Sequence, residues 1–276
     1  LSQNYLKFRN TCKFCLDNLV NFDPDHLVQP DELLPLDKWA VTRLNALIEK
    51  VFAAYDEYEF HVVSHMINDF CVVDLSSFYF DIIKDRLYCG EENGLERRSA
   101  QTAVWLILDA MTRMFAPILA FTCDEVWLAM PHRAADDARN VLFNEMVQPY
   151  NGYALSDEEM ARWARIAALR TAVNGALEQA RADKTIGKSL EAEVDLTVTA
   201  EDAFLADMDA AALADVLIVS QVRVDVGAAQ SVTVRPASGA KCLRCWKVLP
   251  TVGSDAGHPE LCPRCAAVVK KLPVME

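Results

Sequence analysis

Two cysteine pairs, Cys242-x-x-Cys245 and Cys262-x-x-Cys265, are the residues in this 276-residue sequence whose type and spacing point most specifically to chemistry. Sixteen residues separate the pairs. Thiolates spaced this way let two tight turns present four sulfurs as a tetrahedron around one structural Zn²⁺. Two disulfides or four unligated thiols are the competing arrangements. Disulfides suit this chain poorly, because five further cysteines (Cys12, Cys15, Cys71, Cys89 and Cys123) lie in apolar stretches and the opening LSQNYLKFRN has no secretory pattern. Cys12-x-x-Cys15 has the same local spacing, but it falls in a segment of helical period with no second pair nearby. It reads as two core-facing positions one turn apart.

Other reactive arrangements are missing. There is no Gly-rich phosphate loop leading into a helix and no G-x-S-x-G. Among the five histidines, His61 and His65 stand at i, i+4 on a predicted helix. With no third ligand in view, they read as one buried and one solvated histidine. From these residues alone no catalytic site is expected, and the chain reads as a binding module.

Charge narrows the class of partner. The net charge of -13 argues against nucleic-acid binding over the whole surface. Residues 240–276 nevertheless carry six Lys/Arg against three acids, leaving 21 basic and 37 acidic residues elsewhere. A basic tail on an acidic body can meet a polyanion locally. Hydrophobic residues make up 52% of the chain, enough for a real core, which excludes disorder as the main state. The longest apolar runs, Ala103–Leu108 and Phe115–Phe121, are too short to span a membrane. A cytoplasmic protein is expected, and the absence of an initial Met suggests a piece of something longer.

The elements that must position these residues follow from periodicity. Helices are predicted over Leu1–Leu19 (Leu6, Cys12, Cys15 and Leu19 near one face), Leu36–Tyr58 (Trp39, Leu44, Leu47, Ile48, Val51, Tyr55), Phe60–Tyr88, Arg97–Phe115 and Phe121–Met130. Cys89-Gly90 ends the third and Pro117 breaks the fourth. Pro131–Ser156 is polar and irregular. Asp157-Glu158-Glu159 opens a helix running to about Ala182, its acids favoured by the helix dipole. Period-two alternation then predicts strands at Ala192–Thr199, Val216–Val226 and Ser231–Arg235, with a helix over Glu201–Asp215 between the first two. The expected fold is mainly α. An antiparallel helical bundle (1–155) is followed by a helix plus small α/β junction module (156–238) and a zinc ribbon (239–276).

Five stretches, in order, carry a resemblance: YLKFRNTCKFCLDNL, FYFDIIKDRLY, FAPILAFTCDEVW, QARADKTIGKSLEAEV, and KCLRCW followed by CPRC. Together they resemble the C-terminal region of the bacterial isoleucyl-tRNA synthetase family over nearly the whole chain. The second and third alone resemble the anticodon-binding helical domain shared with the valyl and leucyl enzymes; the terminal ribbon resembles the isoleucyl branch. Cys15 stands where the family pattern favours a Leu-like residue. The resemblance implies a ligase that joins isoleucine to tRNA(Ile) using ATP. It also implies catalytic motifs, usually written HIGH and KMSKS, that do not occur here; KTIGKS at Lys184–Ser189 does not match. The chain is therefore expected to begin after the catalytic core, to bind tRNA without forming the aminoacyl bond, and to leave ATP to the domains it does not contain. A monomer is expected, with neither membrane nor DNA as partner.

An anticodon is a single-stranded loop whose bases stack on aromatic rings while Lys and Arg hold phosphates. In the family, the matching Arg and Trp of the ribbon lie at the anticodon-recognition surface, which carries Arg244 and Trp246 over as tRNA-binding residues. The alternative is that Trp246 packs under the ribbon. Lys184 and Lys188, in the loop after a long helix, are further phosphate candidates. In IIKDR, Lys84 and Arg86 read as structural, paired with Asp81, Asp85 or neighbouring helices. Competing functions are a zinc-ribbon protein-interaction adaptor and the matching region of a valyl or leucyl enzyme.

Overall fold

The structure, a computed structural model, describes residues 2–272. Leu1, where the first helix is expected to begin, and residues 273–276 lie outside the described residues. Two compact units are present. One comprises the described residues up to Leu87 together with Glu91–Asp157; the other comprises Tyr88–Gly90 and Glu158 onward.

The first unit is helical: α1 (Ser2–Asn18), α2 (Pro35–Asp56), α3 (Phe60–Asp69), a π-helical stretch (Phe70–Tyr79), α4 (Phe80–Cys89), α5 (Leu95–Phe115) and α6 (Ala120–Ala129). Pro35 starts α2 at its first turn, where its missing N–H costs nothing. Helix α5 is buried continuously from Ser99 to Phe115, as befits a helix enclosed on all sides. Its fully buried Trp105, Leu106, Ile107 and Leu108 each contribute roughly 1.5–3 kcal/mol by leaving water. The irregular Pro131–Ser156 segment holds two short 3₁₀ turns, Val141–Phe143 and Asn151–Tyr153.

Two expectations for this unit change. The predicted Phe60–Tyr88 helix widens over Phe70–Tyr79 into π geometry. There Ser76 and Ser77 donate their hydroxyls to the carbonyls five residues earlier, Cys71 (2.8 Å) and Val72 (2.9 Å), a side-chain bond that hydropathy period does not register. Leu6 does not share the buried face of α1, being 50% exposed; Phe8, Thr11, Cys12, Cys15 and Leu19 form that face. Cys12 and Cys15 are both buried free thiols, and burial pushes both well above the ordinary thiol range.

Among the described residues of this unit, buried charge gathers in two knots. Asp37, without exposed surface, accepts from Tyr79 Oη (2.7 Å), Arg86 Nη1 and Nη2 (2.9 and 3.1 Å) and Ser99 Oγ (2.5 Å). Asp109, equally buried, accepts from Arg113 Nε (2.8 Å) and Tyr150 Oη (3.2 Å), while Arg113 Nη2 also reaches Asp136 (2.8 Å).

In the second unit, α7 (Asp157–Ala182) buries the helical stripe Trp163, Ile166, Leu169, Arg170, Val173, Leu177 and Ala180. A three-stranded sheet follows in the order β2-β1-β3 (Gln221–Val226, Ala192–Val198, Ser231–Pro236). Val194 pairs with Val222 in parallel and with Val234 antiparallel. A parallel pair needs a crossover, here a 3₁₀ turn (Ala200–Leu205) and α8 (Ala210–Leu217). The expected single helix over Glu201–Asp215 is split because Asp209 caps α8, accepting from the N–H groups of Ala211 (2.6 Å) and Ala212 (3.1 Å). Val216 and Leu217 complete α8 and Ile218 closes it at φ +56°, so the second strand starts at Gln221 rather than at Val216.

The ribbon adds β4 (Ala240–Lys241) paired with β5 (Val248–Leu249), and α9 (Pro263–Val269). Gly239 leads into it at φ +111°, where an added Cβ would lie 2.2 Å from the Leu249 carbonyl carbon, so only glycine passes. Among the described residues no helix is long and apolar enough to cross a membrane.

Candidate metal centre and nucleic-acid interface

The turn between β4 and β5 carries Cys242 and Cys245; Cys262 stands immediately before α9, with Pro263 in its first turn and Cys265 following. All four are buried, and their Sγ atoms lie within 4.8 Å of one another. Cys245 and Cys262 are 3.9 Å apart. A tetrahedral zinc with bonds of about 2.3 Å would place its sulfurs about 3.8 Å apart. A disulfide would need about 2.05 Å, and every one of these cysteines is free. The four thiols fit one structural zinc ion, with all four positions taken by sulfur and none open to substrate. The thiols titrate as a group. Hydrogen bonding from Cys245, joined by Cys262 and Arg244, holds Cys265 well below the ordinary thiol range, and the same Cys265 contact drives Cys245 up.

Trp246 follows the second ligand at φ +66°, its N–H donating to the Cys242 carbonyl at 2.9 Å. That left-handed turn keeps the indole out of the ribbon core: Trp246 is 58% exposed. The packed arrangement considered from sequence does not occur. Lys188 Nζ sits 5.8 Å from the indole centroid, within cation–π range.

Arg244 is half-buried. Its Nη1 donates to the Cys89 carbonyl at 2.5 Å and lies 4.0 Å from Cys265 Sγ. Part of the guanidinium therefore serves the cysteine cluster. Cys89 is buried among the four ribbon cysteines, its Sγ 3.6 Å from the Arg244 carbonyl. Lys184 and Lys188 are both exposed in the loop between α7 and β1. Sequence reasoning passed over Arg181, which lines a cavity of about 400 Å³ beside that loop. The only available signal was its position one turn before Lys184.

The remaining candidates do not join this surface. Arg86 is committed to Asp37, while Lys84 makes an exposed i, i+3 pair with Asp81 at 3.0 Å; IIKDR is structural at its arginine. His61 and His65 are both exposed rather than one buried and one solvated, because α3 turns Val63 and Ile67 inward and leaves both histidines off that stripe.

Residues 37–196 match the family model described as the anticodon-binding domain of tRNA ligase, and residues 239–268 match the zinc finger found in FPG and IleRS. Isoleucine–tRNA ligase of Geobacter sulfurreducens is 44% identical over 98% of this chain and 30% of its own length. That of Dichelobacter nodosus is 44% identical over 95% and 28%, and that of Moorella thermoacetica 42% identical over 99% and 31%. The chain thus spans about 30% of the length of the curated relatives it matches.

Proposed function

Since the chain belongs to the anticodon-binding domain family of tRNA ligases, we propose that it is the tRNA-binding C-terminal region of an isoleucine–tRNA ligase and that it recognises the anticodon stem-loop of tRNA(Ile). The parent enzyme joins isoleucine to that tRNA at the expense of ATP; on this reading the ATP chemistry belongs to its other domains, and this chain alone neither activates isoleucine nor transfers it. The observation that carries the proposal is the exposed, left-handed Trp246 on the four-cysteine turn with Lys188 beside its ring. A rigid aromatic face next to a cation is what an unstacked base and its phosphate require. The free edge of Arg244 supplies hydrogen bonds to a base or phosphate, and the exposed Lys184 and Lys188 hold the backbone. The chain acts as a monomer in the cytoplasm.

The ribbon supports the isoleucyl branch over the valyl and leucyl ones, because the zinc-finger match is one shared with isoleucyl enzymes. Zinc, when bound, supplies no reaction chemistry here; it fixes the turn from which Arg244 and Trp246 project.

Filter binding of tRNA(Ile) against a second tRNA, with and without a zinc chelator, tests this. The expected result is preferential binding of tRNA(Ile) that is lost with zinc. Trp246→Ala should weaken binding about 5- to 150-fold, the equivalent of 1–3 kcal/mol of stacking, with zinc content unchanged. Arg244→Ala with zinc retained and a shallower salt dependence supports its contact with RNA; loss of zinc instead assigns it to the ribbon. Normal tRNA binding by a zinc-replete Trp246→Ala chain would remove the anticodon from this surface.

A further inference from the structure

The junction between α8 and β2 reads Leu217-Ile218-Val219-Ser220-Gln221-Val222, a hydroxyl set in an apolar run. Ser220 is buried, as are Val219 and Val222 on either side of it. A buried hydroxyl is costly unless it is hydrogen-bonded, and here both of its roles are filled. Ser220 Oγ donates to the Leu190 carbonyl at 2.5 Å and accepts from the Val248 N–H at 2.7 Å. Its own N–H donates to the Ala192 carbonyl at 3.1 Å, which sets the residue at the head of the parallel β1–β2 pairing.

The two backbone groups joined by this hydroxyl each stand two residues beyond a member of the exposed pair: Leu190 follows Lys188, and Val248 follows Trp246. Both short connections are stiff. Lys188 leads into the 3₁₀ turn Ser189–Glu191, where the Glu191 carboxylate accepts from the N–H groups of Gly187 (2.9 Å) and Lys188 (3.2 Å). On the other side, Trp246 is tied to Cys242 through its own N–H, and the Cys242 N–H donates to the Lys247 carbonyl at 2.9 Å just before β5 begins. The junction grips this side twice more. Gln221 Nε2 donates to the Val248 carbonyl at 3.1 Å, and Lys247 pairs with Asp215 of α8. Among the described residues, Ser220 is the one of these three whose side chain also bonds the Lys188 loop.

We propose that Ser220 is a positioning residue for RNA recognition: its hydroxyl ties the Lys188 loop to the Trp246 turn and so sets the 5.8 Å spacing between ammonium and indole. Ser220 touches no RNA itself. The inference rests on the tRNA reading above and adds to it the group that holds its two halves together. A base stacked on Trp246 and a phosphate held by Lys188 belong to one strand, so their two sites must keep a fixed distance to be filled at once. A buried hydroxyl bonded to both supports sets that distance before the RNA arrives.

Binding of tRNA(Ile) by Ser220→Ala over a range of salt is the first test. The variant should bind about five- to 30-fold more weakly, part of the loss expected of Trp246→Ala. The slope of log affinity against log salt should fall by about 0.7 as Lys188 leaves its phosphate. A variant that binds less only because part of it is unfolded keeps the wild-type slope; that outcome overturns the proposal, as does unchanged binding. In a chain already carrying Lys188→Ala and Trp246→Ala, the same Ser220→Ala change should alter affinity by less than about twofold. A repeat of the full loss there overturns the proposal. The tie can also be read without RNA. With 5-fluorotryptophan incorporated, and the Trp246 line identified by its loss in Trp246→Phe, Lys188→Ala should shift that fluorine line in the otherwise wild-type chain and not in Ser220→Ala. Zinc content and helical signal should be equal in both. An equal shift in the two chains overturns the positioning role. A wild-type chain that shows the expected fluorine result but fails to bind tRNA overturns the tRNA reading instead, leaving the tie between loop and turn in place.

Discussion

In the helical unit Asp37 and Asp109 have no exposed surface and are ringed by arginine, tyrosine and serine donors. In the C-terminal unit, by contrast, Lys184, Lys188 and Trp246 face solvent. Glu193, 3% exposed and paired with Arg235 at 2.8 Å, and Arg170, whose buried Nε donates to the Val216 carbonyl at 3.0 Å, are the exceptions there. The difference teaches how to read a charged motif. A cation whose partner is buried and held by hydrogen bonds within the fold is spent on stability. An exposed cation with no such partner is available to a ligand.

Metal removal is expected to separate the two units most strongly. Structural zinc in small cysteine sites is worth about 10–16 kcal/mol at neutral pH. Cys262→Ser should therefore lower zinc from about one equivalent per chain towards none and unfold the ribbon, while the helical circular dichroism of the bundle persists. A ribbon that stays ordered without metal, judged by amide dispersion, would refute the assignment.

Within the bundle, Arg86→Ala leaves Asp37 buried without its main partner and should cost about 3–5 kcal/mol in denaturant unfolding. Lys84→Ala, which removes only an exposed pair, should cost under about 0.5 kcal/mol. The reverse order would make IIKDR a binding surface and break the comparison.

Asp209→Ala sharpens it on a smaller scale. Loss of that cap should destabilise the C-terminal unit by about 1 kcal/mol without altering the bundle; a shift in the bundle's own transition would deny that the units are independently stable.

The gentlest perturbation is acid. Burial alone would raise the Asp136 carboxyl, but hydrogen bonds from Arg113 and from the Arg133 backbone N–H outweigh it and hold the group below its ordinary range. A depressed native pKa gives stability that is complete above about pH 4 and declines as pH falls through the native value. Asp136→Asn should flatten that acid limb; an unchanged pH profile would mean that the carboxylate is not what acid titrates.

Much of the architecture was legible because it is periodic. Trp39, Leu44, Leu47, Ile48 and Val51 announce α2, and alternation announces β1 at Ala192–Val198. The metal centre was legible because ligand spacing is local. Partners distant in sequence were not: nothing near Arg86 names Asp37, 49 residues earlier, and nothing near Arg244 names Cys89, 155 residues earlier. Helix interruptions were missed where a side chain overrides periodicity, as Asp209 does by capping α8 and Ser76 and Ser77 do by widening the turn at Phe70–Tyr79.

The enclosure of α5 has a consequence for exchange with solvent. A helix buried without interruption from Ser99 to Phe115 presents no face from which its amides can open singly. Its central N–H groups should therefore take up deuterium only when the whole bundle opens. Their exchange rates would report the global stability of that unit directly, and the amides around Lys184, exposed on a surface loop, should be fully labelled long before the first of them.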